Sequence, residues 1–206
     1  MKPEWRPAVR EAMRRAAEAE SGRSAGFNYR WEHVTVVVVL AGKLAGLTGA
    51  DQEIVEAAAW LHDVTKRDGE EHAQSGAQVA AQFLPQTDFP EEKIAAVVQA
   101  IAQHKGLWRE EPLTNLESMV LWDADKLSKL GLTAAFHFTA MILARDEPVT
   151  TDDLHDDLIS ADWQSRTVKS MHTQPARRAA EARLASYERL LADLERELQG
   201  DDLSGR

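Results

Sequence analysis

Three histidines of this sequence stand at or near the ends of apolar segments. They are His33, His62 and His104, and His62 is followed directly by Asp63. Imidazole nitrogens and carboxylate oxygens are suitable ligands for Fe, Mn, Zn, Ni or Mg, and a metal with an open coordination position can activate water. These residue types therefore predict a metal centre that can carry out hydrolysis.

The His62-Asp63 pair is the most informative of these features. It directly follows the apolar run 57–61, and burying two such polar groups unpaired would cost several kcal/mol. Adjacent residues in the middle of a helix point about 100° apart, whereas at a helix end both can turn toward one ion. A second interpretation stays open at this point, in which His62 caps the helix and Asp63 forms a salt bridge.

The elements that position these residues are predicted to be helices. Apolar residues recur at spacings of three and four, and no stretch alternates with a period of two between hairpin turns. The fold class is therefore predicted to be all-α. The predicted helices are Glu4–Glu20, Trp31–Ala45, Asp51–His62, Glu70–Phe83, Glu91–His104, Asn115–Lys129, Leu132–Arg145, a short acidic helix Asp152–Ser160, and Pro175–Gln199.

Composition narrows the class of protein. The 206 residues include 44% hydrophobic and 28% charged residues, as in a globular protein, and no linker divides them. The absence of cysteine excludes disulfide scaffolds, thiolate zinc sites and cysteine nucleophiles. A net charge of −10 disfavours nucleic-acid polymers and anionic membranes as partners. The apolar run Val34–Ala41 is shorter than a membrane span, and the first residues lack a signal-peptide core, so we expect a cytoplasmic protein.

The ordered set of His33, then His62-Asp63, then a late aspartate resembles the signature of HD-domain phosphohydrolases. The flanking residues agree, since Leu61-His62-Asp63-Val64-x-Lys66 has the usual form of the central motif and Asp125-Lys126-Leu127 that of the closing one. The resemblance implies one HD domain over residues 1–206, a helical bundle around a His/Asp metal site. Its core would span about 27–132, with additional C-terminal helices in 133–206, as in small stand-alone bacterial HD proteins.

This resemblance also implies the ligands. His33, His62, Asp63 and Asp125 would hold one divalent metal ion. Family members with paired metals carry extra histidines between the central motif and the last aspartate, where this sequence has His72 and His104. The alternatives are two metals, or one metal with His72 or His104 acting on the phosphate.

The closing aspartate is a choice between neighbours. The helical phase of the surrounding apolar residues places Asp123 on the apolar face and Asp125 nearly opposite, whereas the family pattern favours Asp125. Asp123 is then expected to accept a hydrogen bond from a ligating imidazole. Ser128 stands where close relatives often have aspartate.

The implied activity is hydrolysis of a phosphoester or phosphoanhydride bond in a nucleotide or related phosphorylated small molecule by metal-activated water. Asp63 would combine ligation with proton transfer, and Lys66 would neutralise phosphate charge, with Arg30 and Lys105 as weaker candidates. For these three cations a solvated surface position is the competing interpretation.

Other functions and assemblies stay open as well. The competing functions are a non-catalytic metal- and nucleotide-binding module and a di-iron HD oxygenase. The apolar stripe of the last helix either packs on the bundle or forms the seam of a homodimer.

Overall fold

The computed structural model describes residues 1–21, 27–144, 148–159 and 163–204. Within these ranges the chain forms ten α-helices, three short 3₁₀ helices and no strand. The α-helices are α1 Trp5–Ser21, α2 Tyr29–Thr48, α3 Gln52–Leu61, α4 His72–Phe83, α5 Glu91–Ala102, α6 Leu116–Leu127, α7 Leu132–Leu143, α8 Thr151–Ile159, α9 Trp163–Lys169 and α10 Gln174–Gln199. The 3₁₀ helices are Lys66–Glu71, Leu84–Gln86 and Asp201–Ser204.

Side-chain caps begin several of these helices. Asn28, Asp51, Asn115 and Thr173 each accept hydrogen bonds from backbone N–H groups in the first turn of α2, α3, α6 and α10. Such caps satisfy N–H groups that have no partner within the helix. Gly49 ends α2 in a left-handed conformation, with φ of 79°, which glycine adopts without the steric cost that other residues incur.

The all-α prediction is confirmed, and nine of the ten helices lie where the sequence predicts them. Helix α9 is missing from the prediction because its buried face consists of Gln164, Thr167 and Val168, which is too polar to read as an apolar stripe. The predicted ends at Arg145 and Ser160 lie outside the described residues.

One large core joins α1 to α6 with α9 and the first turns of α10. Among the described residues, α2 alone has the length and apolar composition of a membrane-spanning helix. It packs against α1, α3 and α6 and carries the fully buried His33, as the central helix of a bundle does. Two of these neighbours hold further candidate ligands, since His62 and Asp63 directly follow α3 and Asp125 lies in α6.

The C-terminal helices add a smaller core. Tyr187 and Leu191 of α10 pack with Leu158 of α8 and with residues of α7. The predicted apolar stripe of the last helix therefore packs on the bundle along this part, while Leu198 near the end of α10 is exposed.

Candidate metal centre

Five helices bring the predicted ligands together. His33 lies near the start of α2, the His62-Asp63 pair follows α3, His72 begins α4, His104 follows α5, and Asp125 lies in the last turns of α6. All six side chains are buried. The structure therefore collects at one point the residues that the sequence singled out, whereas their roles as ligands stay predictions.

The turn after α3 places the central pair. His62 ends this helix by donating its backbone N–H to Ala58 O at 2.9 Å, and the chain then leaves the helix, so that His62 and Asp63 both face inward. Helix α4 passes close by because Gly76 has no side chain, and a Cβ there would lie 3.3 Å from His62 O. The capping interpretation describes the free chain, since His62 is the C-cap residue and Asp63 is ion-paired with Arg30. Metal binding by the pair stays a prediction.

Asp63 lies at the middle of the cluster. Its Oδ2 is 3.5 Å from His33 Nε2 and 3.6 Å from His62 Nε2. Its Oδ1 is 3.5 Å from His104 Nε2 and 3.7 Å from His72 Nε2. One carboxylate thus faces the Nε2 atoms of all four histidines.

Asp125 closes the cluster on the side of α6. Its Oδ1 is 3.3 Å from His33 Nε2, which in turn is 3.3 Å from His62 Nε2. Two overlapping sets of three ligand atoms could each hold an ion, and they share His62. The sets are His33-His62-Asp125 and His62-Asp63-His104.

Hydrogen bonds on the outer side of the histidines determine which ring nitrogen faces the cluster. The Nδ1 atoms of His62, His72 and His104 lie 2.8, 2.6 and 2.6 Å from backbone carbonyl oxygens, which can only accept. Each Nδ1 must therefore carry the proton, and each Nε2 then presents a lone pair. This arrangement orients imidazoles for metal binding.

Ser128 does the same for His33. Its hydroxyl donates to Asp125 O at 2.6 Å, so the oxygen is left to accept from His33 Nδ1 at 2.9 Å. The sequence identified Ser128 only as a departure from relatives. Its spacing of three residues after Asp125 on a helix is the signal that could have placed it beside the site.

Replacing Ser128 with alanine is expected to lower metal affinity by roughly 10–100-fold, because His33 loses the acceptor that orients its ring. Isothermal titration with Mn²⁺ measures this. Ser118→Ala is the matched control, since Ser118 is also buried on α6 but its hydroxyl has no hydrogen-bond partner. An equal loss of affinity in both variants would show that His33 does not depend on Ser128.

Two sequence-based interpretations need correction. Arg30 is enclosed, and its guanidinium donates to Asp63 Oδ2 and, at 3.0 Å, to Glu20 Oε2. Arg30 therefore forms an ion pair with Asp63 inside the protein rather than contacting a substrate. Asp123 does not support a ligating imidazole, since its carboxylate accepts from the backbone N–H groups of His172 and Thr173 at 2.8 and 2.7 Å.

A cavity of about 290 Å³ leads to the cluster. His72, His104 and Asp125 line its inner part, together with four lysines and Glu70. The lysines are Lys66, Lys105, Lys126 and Lys129. The walls are therefore positively charged although the whole chain carries −10, which favours an anionic ligand.

The two predicted lysines lie in different positions of this cavity. Lys66 begins a 3₁₀ helix rather than continuing α3, yet its Nζ is 3.1 Å from His72 Nε2 and 3.6 Å from Asp63 Oδ1. Lys105 lies at the mouth, half-exposed, and pairs with Glu70 at 2.7 Å. Lys66 thus contacts the cluster, and Lys105 does not.

Lys126 and Lys129 were missed from the sequence. They donate to the two oxygens of Asp125, Lys126 to Oδ2 and Lys129 to Oδ1. The spacing of four residues between Asp125 and Lys129 is a helical ion-pair signal that could have identified this lysine. Lys126, directly beside Asp125 in the sequence, could not be placed without the packing of α6.

Burial and neighbouring charges fix the protonation of the cluster. Burial lowers the pKa of His62 to about 3, so its imidazole is neutral at neutral pH. Burial alone would raise the pKa of Asp63, but the surrounding imidazoles and Arg30 hold it well below its usual range. Lys126 and Lys129 likewise hold the pKa of Asp125 low against the effect of burial. His62, Asp63 and Asp125 are therefore in the deprotonated form that metals bind.

The metal-free protein is expected to lose stability on acidification. The pKa of His62 is about 3 in the folded chain and 6.5 ordinarily. Its contribution to the free energy of unfolding is therefore complete above pH 6.5 and is lost as pH falls toward 3. Melting temperatures measured in EDTA from about pH 7 to about pH 4 should fall, and fall less steeply for His62→Gln. A pH-independent melting temperature in the wild type would contradict this assignment.

Two buried polar atoms of the cluster have no hydrogen-bond partner. Asp63 Oδ1 and His104 Nε2 are both buried and form no hydrogen bond. Buried polar groups of this kind are costly unless they have a partner, and a cation would give one to both. The residues therefore fit a divalent metal held by His33, His62, Asp63 and Asp125, with His104 as a further ligand. His72 Nε2 is also directed inward, but Lys66 contacts it.

Comparisons with known proteins identify the family and the fold. Residues 30–130 match the family described as the HD domain. A predicted HD-superfamily hydrolase from an uncultured Thermotogales bacterium shares 23% identity at a TM-score of 0.64, over 94% of this chain and 91% of that one. An HD-superfamily hydrolase from Bacillus thuringiensis shares 20% identity at a TM-score of 0.68, over 95% and 98%.

A third structure is Bacillus subtilis YpgQ in complex with ADP. It shares 21% identity at a TM-score of 0.67, over 93% of this chain and 98% of that one. At these identities the likeness shows a common fold. No curated protein sequence shows significant similarity to the chain.

Proposed function

Since the chain is an HD-domain protein, we propose that it is a metal-dependent hydrolase of phosphoester or phosphoanhydride bonds in a nucleotide or related phosphorylated small molecule. The observation that carries this proposal is the cluster itself, in which four imidazole Nε2 atoms surround the buried Asp63 carboxylate. The cavity lined by lysines lies directly above it.

Each of the site residues has a task in this proposal. When bound, a divalent ion held by His33, His62, Asp63 and Asp125 would supply an acidified water and polarise a phosphoryl oxygen. Asp63 would also accept a proton, and its Oδ1 has no hydrogen-bond partner. Lys66, whose Nζ lies 3.6 Å from this oxygen, would neutralise phosphate charge.

The number of ions is part of the proposal. The two ligand sets support a pair of metals. Because the single Nε2 lone pair of His62 can bind only one ion, His33, His62 and Asp125 would hold the first ion and Asp63 and His104 the second. In the one-metal alternative, His72 and His104 face the phosphate from the inner wall of the cavity.

A nucleotide substrate is supported by two observations. The structurally similar YpgQ forms a complex with ADP, and the cavity of this chain is lined by four lysines, which suits phosphate groups. The same charge argues against the oxygenase alternative, which requires no anion site of this kind. A cytoplasmic location belongs to this proposal as well.

The test uses the full chain stripped of metal and then reconstituted separately with Mn²⁺, Zn²⁺, Fe²⁺, Ni²⁺ and Mg²⁺. Phosphate or pyrophosphate release is measured against nucleoside mono-, di- and triphosphates, cyclic nucleotides, dinucleoside polyphosphates and simple phosphomonoesters. At least one metal should restore hydrolysis, and EDTA should remove it. A chain that binds metal but cleaves none of these compounds would contradict the proposal, and oxygen consumption would then favour the oxygenase.

A further inference from the structure

Each oxygen of the Asp125 carboxylate accepts a hydrogen bond from a lysine. Lys126 donates to Oδ2 and Lys129 to Oδ1. Oδ1 is also the oxygen that lies 3.3 Å from His33 Nε2, and His33 and Asp125 belong to the same ligand set. A lysine ammonium thus bonds to the carboxylate oxygen on the side of His33, with which Asp125 would hold a metal.

The two lysines are held very differently. Lys126 is buried, also donates to His104 O at 2.9 Å, and lies 4.3 Å from the centre of the Trp122 ring. Lys129 has Asp125 as its hydrogen-bond partner among the described residues, lines the cavity, and is 15% exposed. Lys129 can therefore leave Asp125 by a change of side-chain conformation, whereas Lys126 is fixed.

The charges around the cluster do not favour a cation alone. Three carboxylates, those of Glu20, Asp63 and Asp125, face four cations, which are Arg30, Lys66, Lys126 and Lys129. Counted for these seven groups alone, the sum is 4 − 3 = +1. A divalent ion on Asp125 would also lie close to the Lys129 ammonium, and like charges at such a distance in a buried site repel strongly.

An anion in the cavity removes this conflict. It would give Lys129 a new partner, free Oδ1 of Asp125, and offset the added positive charge. Two ligands that each favour the same arrangement of the protein raise one another's affinity by the same factor.

We propose that Lys129 is an anion-binding residue. In the free protein Lys129 pairs with Asp125, and it is released when a metal binds this carboxylate. A metal ion and a phosphate-class anion therefore bind cooperatively. This inference rests on the proposed function, because it takes the cluster to be a metal site. It adds a residue to the substrate site and predicts that the free protein binds metal less tightly than the complex with an anion.

The experiment is calorimetric titration of Mn²⁺ into the metal-free full chain, with inorganic phosphate or with chloride at equal ionic strength. In the wild type, phosphate should raise the Mn²⁺ affinity about fivefold or more. Lys129→Met should bind Mn²⁺ more tightly than the wild type in chloride, and most of the phosphate effect should disappear. Lys129→Arg keeps the charge and should retain the phosphate effect.

Lys105→Met is the matched control, since Lys105 lines the same cavity but pairs with Glu70 rather than Asp125. It should leave the Mn²⁺ affinity in chloride near the wild-type value. Circular dichroism verifies folding, and Lys129→Gln replaces the methionine variant if that variant is unfolded.

An undiminished phosphate effect in Lys129→Met, or weaker Mn²⁺ binding by this variant in chloride, would overturn the proposal. Because the readout is binding, a lack of hydrolysis counts against the proposed function and leaves this inference intact. A wild-type chain that binds no Mn²⁺ would overturn both.

Discussion

Replacement of Asp63 with asparagine is expected to remove bound metal and to abolish hydrolysis. Asparagine keeps the size of the side chain but loses the charge that faces four Nε2 atoms at 3.5 to 3.7 Å. The loss of metal affinity should exceed the roughly 10–100-fold that follows from removing an outer hydrogen-bond partner of a ligand. Metal content by inductively coupled plasma mass spectrometry and kcat/KM on the best substrate measure the two effects.

Glu20→Gln is the control that separates the loss of the Asp63 charge from the loss of an ion pair with Arg30. Glu20 contacts the same guanidinium of Arg30 that holds Asp63, but it has no atom in the ligand cluster. This variant should retain its metal and most of its activity. Wild-type metal content in Asp63→Asn would contradict the central position that we assign to this carboxylate.

Substitution of the two aspartates of α6 should give opposite results. Asp125→Asn is expected to lose metal and activity, because in the proposed site Asp125 would supply a ligand oxygen beside His33. Asp123→Asn is expected to retain metal but to lower stability. His172 N–H donates to one oxygen of Asp123 and Thr173 N–H to the other, and the amide NH₂ that replaces one of these oxygens cannot accept.

The expected cost of Asp123→Asn is about 1–3 kcal/mol, as for a buried donor left without a partner. In a chain of this length this corresponds to a decrease of roughly 2–12 °C in melting temperature. Metal content and thermal melts on both purified variants decide the assignment. Loss of metal in Asp123→Asn with retention in Asp125→Asn would reverse it.

The contrast between these aspartates shows what helical phase can and cannot predict. The phase of α6 correctly places Asp123 in the interior, where it is fully buried. Helical phase wrongly predicts that Asp125 lies on the exposed face of α6, because this helix is buried on nearly all sides from Ser118 to Leu127. Which aspartate faces the histidines depends on where the start of α10 packs, and this contact lies about 50 residues away in the chain.

The histidines and Asp63 could be singled out because they sit at a helix end or beside an apolar run, whereas Asp125 follows only from the family resemblance. His62 and Asp63 follow α3 directly, and His104 lies two residues beyond α5. The order of these residues along the chain then resembles that of HD domains, and the match over residues 30–130 agrees with it. Local pattern and family order thus identify the centre of the site.

The residues around the ligands could not be predicted in the same way. Ser128 and Lys126 act through tertiary contacts, with His33 of α2 and with the backbone of His104 after α5. Arg30 looked like a surface cation because nothing in its own segment shows that Glu20 and Asp63 enclose it. Such contacts depend on how helices pack rather than on the spacing within one helix.

The most direct test of this account is anomalous diffraction from crystals of the full chain soaked in Mn²⁺ or Zn²⁺. We predict at least one strong peak about 2.0–2.3 Å from His33 Nε2, His62 Nε2 and carboxylate oxygens of Asp63 and Asp125. A second peak beside His104 would establish the paired-metal form. A fully soaked crystal with no peak in this cluster, or with metal bound only elsewhere on the chain, would contradict the account.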